Sequence, residues 1–191
     1  MSERRSSRGF SLLEALVATT VLTVGVVGLA QLSEIATRAT AGAKATTFAT
    51  ILAQQKMEQL RSLTFGFDPS GLPQSDVTTD VSVIPERPTG GRGLSPSPAG
   101  ALNSNTPGYC DFLDSFGHWL GGGSGNDAEP VGTEYIRRWS IDTLPANPGN
   151  TIVLQVLVTR HRVRGAANNA TDTARLPDEA RLVCVRTRKL S

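Results

Sequence analysis

Residues that carry catalysis or bind metals are scarce in this chain of 191 residues. There are two histidines, His118 and His161, and neither has the spacing to other ligands that a site of three or four converging ligands requires. No Gly-x-Ser-x-Gly nucleophile motif occurs, and the glycines at 121–123 lack the strand and helix that flank a phosphate loop. We therefore expect no enzyme, no catalytic residue, no metal site and no cofactor.

Cysteine is equally scarce, because only two occur and none precedes Cys110. Attachment of a lipid through a cysteine near the N-terminus is therefore excluded.

Charge is almost absent from one long stretch near the N-terminus. The 23 residues from Phe10 to Leu32 contain one charged side chain, that of Glu14. About 20 apolar residues suffice to span a bilayer as a helix. A charge at the bilayer centre costs roughly 2.5–3.5 kcal/mol on insertion scales, although Glu14 lies near the start of the span. Glu14 either marks the membrane interface or pairs with a positive charge.

The small excess of positive charge lies before this stretch. The first nine residues hold three of the 19 basic residues and one of the 17 acidic ones, so the remainder is formally neutral. A bulk basic surface for nucleic acid is not supported, and we infer no direct nucleic-acid binding. Basic residues beside a span stay cytoplasmic, so the chain after Leu32 is expected outside the cytoplasm.

Three kinds of processing signal fit a basic leader followed by an apolar stretch. A secretory signal peptide could be cut near 39–43, but its apolar part is about 7–15 residues long, shorter than this one. Arg4-Arg5 alone is a weak twin-arginine match. The third signal is the run Gly9-Phe10-Ser11-Leu12-Leu13-Glu14, followed by Ala15-Leu16-Val17-Ala18. This run resembles the class III signal of type IV prepilins and type II secretion pseudopilins.

The resemblance implies how the N-terminus is processed. A prepilin peptidase would cut between Gly9 and Phe10, methylate the amine of Phe10 and leave the apolar helix in place. Glu14 would become the fifth residue of the mature chain and pair with the N-terminal amine of a neighbouring subunit. In low dielectric each charge would relieve the other.

The resemblance also implies location and partners. The subunit would cross the inner membrane once, with its N-terminus cytoplasmic and its C-terminal part periplasmic, and then enter a pilus on the cell surface. The expected partners are the peptidase, other minor and major pilins, and the inner-membrane assembly platform. The order of the C-terminal strands is similar to PilV-like minor pilins. A minor pseudopilin of a type II secretion system and a membrane-anchored periplasmic binding domain or enzyme remain alternatives.

The apolar helix is predicted to continue well beyond the span, to about Leu63. No proline occurs before Pro69, and Gly42 is the weak point after Ser33. A stripe at helical spacing indicates packing on a domain, and the other side is expected to be polar. The predicted stripe is Phe48, Ile51, Leu52, Leu60 and Leu63, and the predicted polar side is Gln54, Gln55, Lys56, Gln59 and Arg61.

The rest of the chain reads as an antiparallel sheet of about four strands separated by loops. Alternation predicts strands at 77–83, 133–142, 150–163 and 179–190, and residues 85–108 are dense in Pro, Gly and Ser, as exposed loops are. The expected fold is α+β, a pilin-like lollipop. Its parts are a removed leader (1–9), a transmembrane helix (10–32), an amphipathic continuation (33–64) and a globular domain (65–191).

The two cysteines have two interpretations. Cysteines in an oxidising compartment usually pair, so we expect a disulfide between Cys110 and Cys184. Cys184 could instead be a buried thiol on a strand face beside Leu182.

Overall fold

The structure, a computed structural model, describes residues 11–123, 129–161 and 179–189. Its long helix, α1, spans Leu12–Ser62, which confirms the predicted helix. The chain divides into two compact units, Met1–Ala43 and Lys44–Ser191. The strands are β1 (Phe65–Phe67), β2 (Pro73–Ser75), β3 (Cys110–Leu113), β4 (Trp119–Gly122), β5 (Tyr135–Thr143), β6 (Thr151–Arg160) and β7 (Ala180–Thr187).

The second unit contains two antiparallel sheets. The larger has five strands in the order β4-β3-β5-β6-β7, and β1 pairs with β2 in the smaller. The predicted α+β class is confirmed, and three of the predicted strands correspond to β5, β6 and β7. The sequence reading missed β3 and β4 and counted a strand at 77–83 that does not form, so it gave about four strands where the larger sheet has five.

The core lies between one face of this sheet and the second half of α1. The strands contribute alternating side chains such as Trp139, Ile141, Leu154 and Val156, all fully buried. The helix contributes small and apolar residues at spacings of three and four, as one face of a helix requires. These buried helix residues are Ala45, Ala49, Leu52, Ala53, Met57 and Leu60.

The predicted strand at 77–83 is wrong, because the structure has a loop there. The Asp76 carboxylate accepts hydrogen bonds from the backbone N–H groups of Thr78 and Thr79, each at 3.0 Å. The Asp80 carboxylate accepts one from the Ser82 N–H at 2.9 Å. Short acidic side chains that bind nearby backbone groups compete with strand pairing. The alternation of valines in this stretch therefore did not produce a strand, although Val81 is buried.

The loop predicted at 85–108 is present but is not wholly exposed. Leu94 and Ala101 are buried in the main core. At Gly91 a side chain would begin 2.1 Å from the Asp80 Cα, so only glycine permits this approach of two loop backbones. The loop therefore covers part of the core.

Candidate functional site

The N-terminal half of α1 is long and apolar enough to cross a membrane. Its most apolar window has a mean hydropathy of 2.1, and none of that window is buried within the structure. Leu12, Leu13, Val21 and Leu29 are each at least two-thirds exposed. Such a surface costs free energy in water, so it requires lipid or other apolar helices around it. The segment is consistent with membrane anchoring.

Threonines in this segment do not leave free hydroxyl donors. The hydroxyls of Thr19 and Thr20 donate to the Leu16 carbonyl oxygen at 3.0 and 2.8 Å, and the Thr23 hydroxyl donates to the Thr19 carbonyl oxygen at 2.7 Å. A polar group without a partner is costly in hydrocarbon. Internal bonding therefore makes these residues compatible with an apolar environment.

Glu14 lies in the first turn of α1, where the partial positive charge of the helix N-terminus favours a carboxylate. Its side chain is exposed. Among the described residues, no cationic group lies within ion-pair distance of Glu14. Gly9 and Phe10, the residues of the predicted cleavage site, lie outside the described part of the chain.

Three charged side chains form a cluster that is buried between α1, β3 and β5. They are Lys56, Asp111 and Arg137. The exposed fraction of each side chain is 1% or less. Arg137 binds both carboxylate oxygens of Asp111, with its Nε 2.9 Å from Oδ1 and its Nη2 2.8 Å from Oδ2. The Lys56 Nζ lies 2.9 Å from the same Oδ2. One carboxylate therefore serves two cations.

Groups around the cluster bind the remaining donors. The Lys56 ammonium donates to the Val81 carbonyl oxygen at 2.5 Å and lies 4.4 Å from the ring centroid of Trp139. The Arg137 Nη1 donates to the Leu52 carbonyl oxygen at 3.1 Å. The ion pairs, the hydrogen bonds and the aromatic face together compensate for removing the charges from water.

Burial and the ion pairs act in opposite directions on these groups. Burial lowers the pKa of Lys56 from 10.5 to about 8, although Asp111 partly opposes that shift. Burial alone would raise the pKa of Asp111, but Lys56 and Arg137 outweigh it and hold that pKa below its usual value. Asp111 is therefore a carboxylate at neutral pH. Because Asp111 binds Lys56 of α1 and Arg137 of β5, the cluster joins this part of the helix to the sheet.

The sequence reading placed Lys56 on the polar side of the helix, and this is wrong. Lys56 follows Leu52 by four residues and precedes Leu60 by four, so it shares their helical face. That spacing was the available signal, and the charge of lysine concealed it. Ile51 is also misplaced, since it is 52% exposed.

The predicted disulfide is wrong, because the structure has Cys110 and Cys184 as thiols rather than as a bridge. Cys110 lies on β3 and Cys184 on β7, with β5 and β6 between them. Neighbouring strands lie about 4.8 Å apart, so three such spacings exceed the roughly 7 Å limit between the Cα atoms of a bridge. The side chains also lie on opposite faces, because Cys110 packs with Phe112 and Ile136 whereas Cys184 packs against the main core.

Each histidine contacts one carboxylate. The His118 Nδ1 lies 3.0 Å from Asp114 Oδ2, and the His161 Nε2 lies 2.6 Å from Glu129 Oε2. Within the described ranges, no group of three or more His, Cys, Asp and Glu residues is arranged to hold a metal ion.

Comparison with known families supports the interpretation of the N-terminus. Residues 4–30 match the family described as the prokaryotic N-terminal methylation motif, and this range includes Gly9, Phe10 and Glu14. Searches of curated proteins and of solved structures gave no match. The chain therefore carries a type IV pilin-like methylation signal in front of a long apolar helix, and this supports a protein of the pilin or pseudopilin type.

Proposed function

We propose that this chain is a PilV-like minor pilin, a non-catalytic structural and assembly subunit of a type IV pilus. The observation that carries the proposal is the match of residues 4–30 to the methylation motif. The exposed apolar half of α1 supports it, because a subunit stored in a membrane and then packed among other helices needs such a surface.

Processing prepares the N-terminus for assembly. A prepilin peptidase removes the leader, residues 1–9, and methylates the amine of Phe10. The basic residues Arg4, Arg5 and Arg8 leave with the leader, so the new amine becomes the cation available to Glu14. The two groups are four residues apart, about one helical turn, so they can pair within one subunit in the membrane.

Assembly replaces this internal pair with one between subunits. A neighbouring subunit, displaced along the filament axis, supplies its amine to Glu14, and the pair fixes the register of the two helices. The subunit first crosses the inner membrane with its N-terminus cytoplasmic and its globular part periplasmic. It then meets other pilins at the assembly platform and enters the pilus.

The first test concerns cleavage. A Gly9→Leu substitution places a bulky side chain at the junction, so the full-length precursor should accumulate. Ser6→Leu, a change of similar size in the leader away from the junction, should be processed normally. Mass spectrometry should show that the native protein begins at a methylated Phe10. Retention of residues 1–9 would contradict the proposal.

The second test concerns assembly. Glu14→Ala should insert into the membrane as well as the wild type, but its amount in sheared pili relative to the membrane pool should fall sharply. Glu34→Ala is the matched control, because Glu34 is an exposed carboxylate on the same helix whose pair with Arg38 is on the surface. Equal incorporation of all three chains would show that Glu14 only marks the membrane interface.

The effect of losing the protein and the state of its N-terminus separate the alternatives. A minor pseudopilin shares the same N-terminus, and its loss would impair protein secretion rather than piliation. A membrane-anchored binding domain or enzyme would keep an uncut N-terminus with an unmodified Phe10.

A further inference from the structure

The two edges of the five-stranded sheet differ in how they are covered. At β4 the loop around Ser82 lies against the strand, since the Trp119 Nε1 donates to the Ser82 carbonyl oxygen at 2.9 Å. A side chain at Gly122 would begin 3.2 Å from that same oxygen. At β7 the smaller sheet lies beside the C-terminal end of the strand, where Gly66 forms a parallel bridge with Lys189 and the Arg186 guanidinium lies over the Phe65 ring.

The backbone pattern identifies which groups of β7 point away from the sheet. The Arg188 N–H donates to the Asn150 carbonyl oxygen at 2.9 Å, so the even-numbered residues of this strand direct their backbone groups to β6. In an antiparallel pair the alternate residues direct theirs to the other side. The outward groups are therefore those of Arg181, Val183, Val185 and Thr187. Among the described residues, no backbone hydrogen bond to these four from beyond β7 is present.

The side chains beside this edge are partly apolar. Val183 and Val185 are 58% and 60% exposed, and they lie on the sheet face opposite the main core. The register pairs Val185 with Val153 and Val183 with Gln155. An added strand would cover the valines as well as the backbone groups. An edge with open backbone groups and exposed valines is a template for pairing with another chain.

The charge of the edge restricts what can pair with it. Residues 180–189 include four cationic side chains, Arg181, Arg186, Arg188 and Lys189, and no acidic one. The Arg181 Nη2 donates to the neutral Gln155 amide at 2.5 Å. Arg186 donates to the carbonyl oxygens of Leu60 and Leu63 at 3.3 and 2.7 Å. Arg188 likewise donates to the carbonyl oxygens of Gly66, Gln74 and Gly149.

The positive charge of the edge is therefore not neutralised within the described part of the chain, where none of the four forms an ion pair. Burial and the nearby Arg61 lower the pKa of Arg186, as expected for a cation without a carboxylate partner. Two copies of β7 paired together would bring these charges onto adjacent strands, and like charges in such pairs are destabilising. An acidic strand would be attracted instead.

We propose that the outer edge of β7 is a docking site for an extended, acidic segment of another protein, which adds a sixth strand to the sheet. Main-chain hydrogen bonds to the odd-numbered residues supply the affinity, and the arginines select carboxylates. The inference concerns a surface of the second unit and does not depend on cleavage, methylation or filament assembly.

Residue-resolved amide hydrogen exchange on the full chain in detergent tests the site. In the free chain the amides of Val183 and Val185 should exchange quickly, whereas those of Leu182 and Cys184 should be protected. A synthetic peptide of alternating valine and glutamate should slow exchange at Val183 and Val185. The same peptide with lysine in place of glutamate should have little effect.

Two substitutions of Val185 distinguish backbone pairing of the peptide from its hydrophobic contact with the valine side chains. Val185→Pro removes an outward N–H, and proline is tolerated on an edge strand when its nitrogen faces solvent. It should weaken peptide binding roughly tenfold, since one bond and its geometry are lost. Val185→Thr keeps the N–H and the branched shape, and should bind like the wild type.

Three results would overturn the proposal. Protection of Val183 and Val185 in the free chain would mean that the edge is already covered. Equal binding of the glutamate and lysine peptides would refute the charge argument, and unchanged binding by a folded Val185→Pro chain would refute strand addition. Native-like exchange at Leu182 and Cys184 in the proline variant confirms that β7 has kept its pairing with β6.

Discussion

Asp111→Asn is the substitution to which the stability of the second unit should be most sensitive. It keeps the size of the side chain but removes the one carboxylate that, among the described residues, forms ion pairs with the buried cations Lys56 and Arg137. Removing one partner of a buried ion pair typically lowers the free energy of unfolding by about 3–5 kcal/mol, because the other charge stays buried and uncompensated. Two cations are stranded here, so we expect a loss in the upper part of that range. Domains have about 5–15 kcal/mol of stability, so much of it would disappear.

Urea unfolding of the full chain in mild detergent measures this loss through tryptophan fluorescence, which comes from Trp119 and from Trp139, whose ring lies against Lys56. Glu58→Gln is the control, because it removes one carboxylate of an exposed pair with Arg61, and such pairs contribute about 0.2–1 kcal/mol. A loss for Asp111→Asn no greater than that of the control would show that the cluster is not a strong constraint.

A double substitution tests the explanation as well as the size of the effect. Adding Lys56→Met to Asp111→Asn removes one of the stranded cations and fills its space with an apolar chain. The double variant should therefore be more stable than Asp111→Asn alone. If the two losses simply add, the residues do not share one electrostatic network.

Three further outcomes follow from the contacts of individual residues. The pKa of Lys56 falls from 10.5 to about 8 on folding, so the native state loses this proton at a lower pH than the unfolded state does. The free energy of unfolding, relative to that of Lys56→Met, should therefore rise between pH 8 and 10.5. A constant difference between the two chains in urea unfolding would contradict this. Arg186→Met removes two hydrogen bonds to carbonyl oxygens at the end of α1 and should cost about 1–3 kcal/mol, whereas Lys189→Met, at an exposed site, should cost little. Alkylation of the denatured, unreduced protein should label both Cys110 and Cys184. If mass spectrometry showed no added label, the two cysteines would form a disulfide after all.

The helix and strands whose apolar residues follow one clear helical or alternating pattern were predictable from the sequence. The absence of proline before Pro69 and the apolar run after Phe10, with Glu14 as its one charge, were sufficient to predict α1. The strands β5 and β6 were readable because their alternating side chains include long runs of branched and aromatic residues. The N-terminal signal was equally clear, since Gly9, Phe10 and Glu14 occur at fixed spacing, and the family comparison matches residues 4–30, which contain them.

The errors at Lys56, at β3 and β4 and at the cysteines share a physical cause, which is that tertiary contacts decided the outcome, whereas the strand predicted at 77–83 was lost to local hydrogen bonds of Asp76 and Asp80. Lys56 is charged, so sequence reasoning kept it on the polar side of the helix, yet its ion pair with Asp111 makes it compatible with the interior. The four residues of β3 include that aspartate, and β4 contains two glycines, so neither strand had a clear local pattern. The disulfide depended on strand order, which two cysteine positions cannot reveal.

The buried cluster also has a mechanical consequence. Lys56 belongs to α1 and Arg137 to β5, and both are bound to one carboxylate on β3. Apolar side chains can slide past each other with little change in contact area, but charged hydrogen bonds weaken steeply when their distance or angle changes. A pull along α1 would therefore be resisted in shear by this cluster. Tension along α1 reaches the interior strands β3 and β5 through this cluster, and it reaches β7 through the hydrogen bonds of Arg186 to the end of α1.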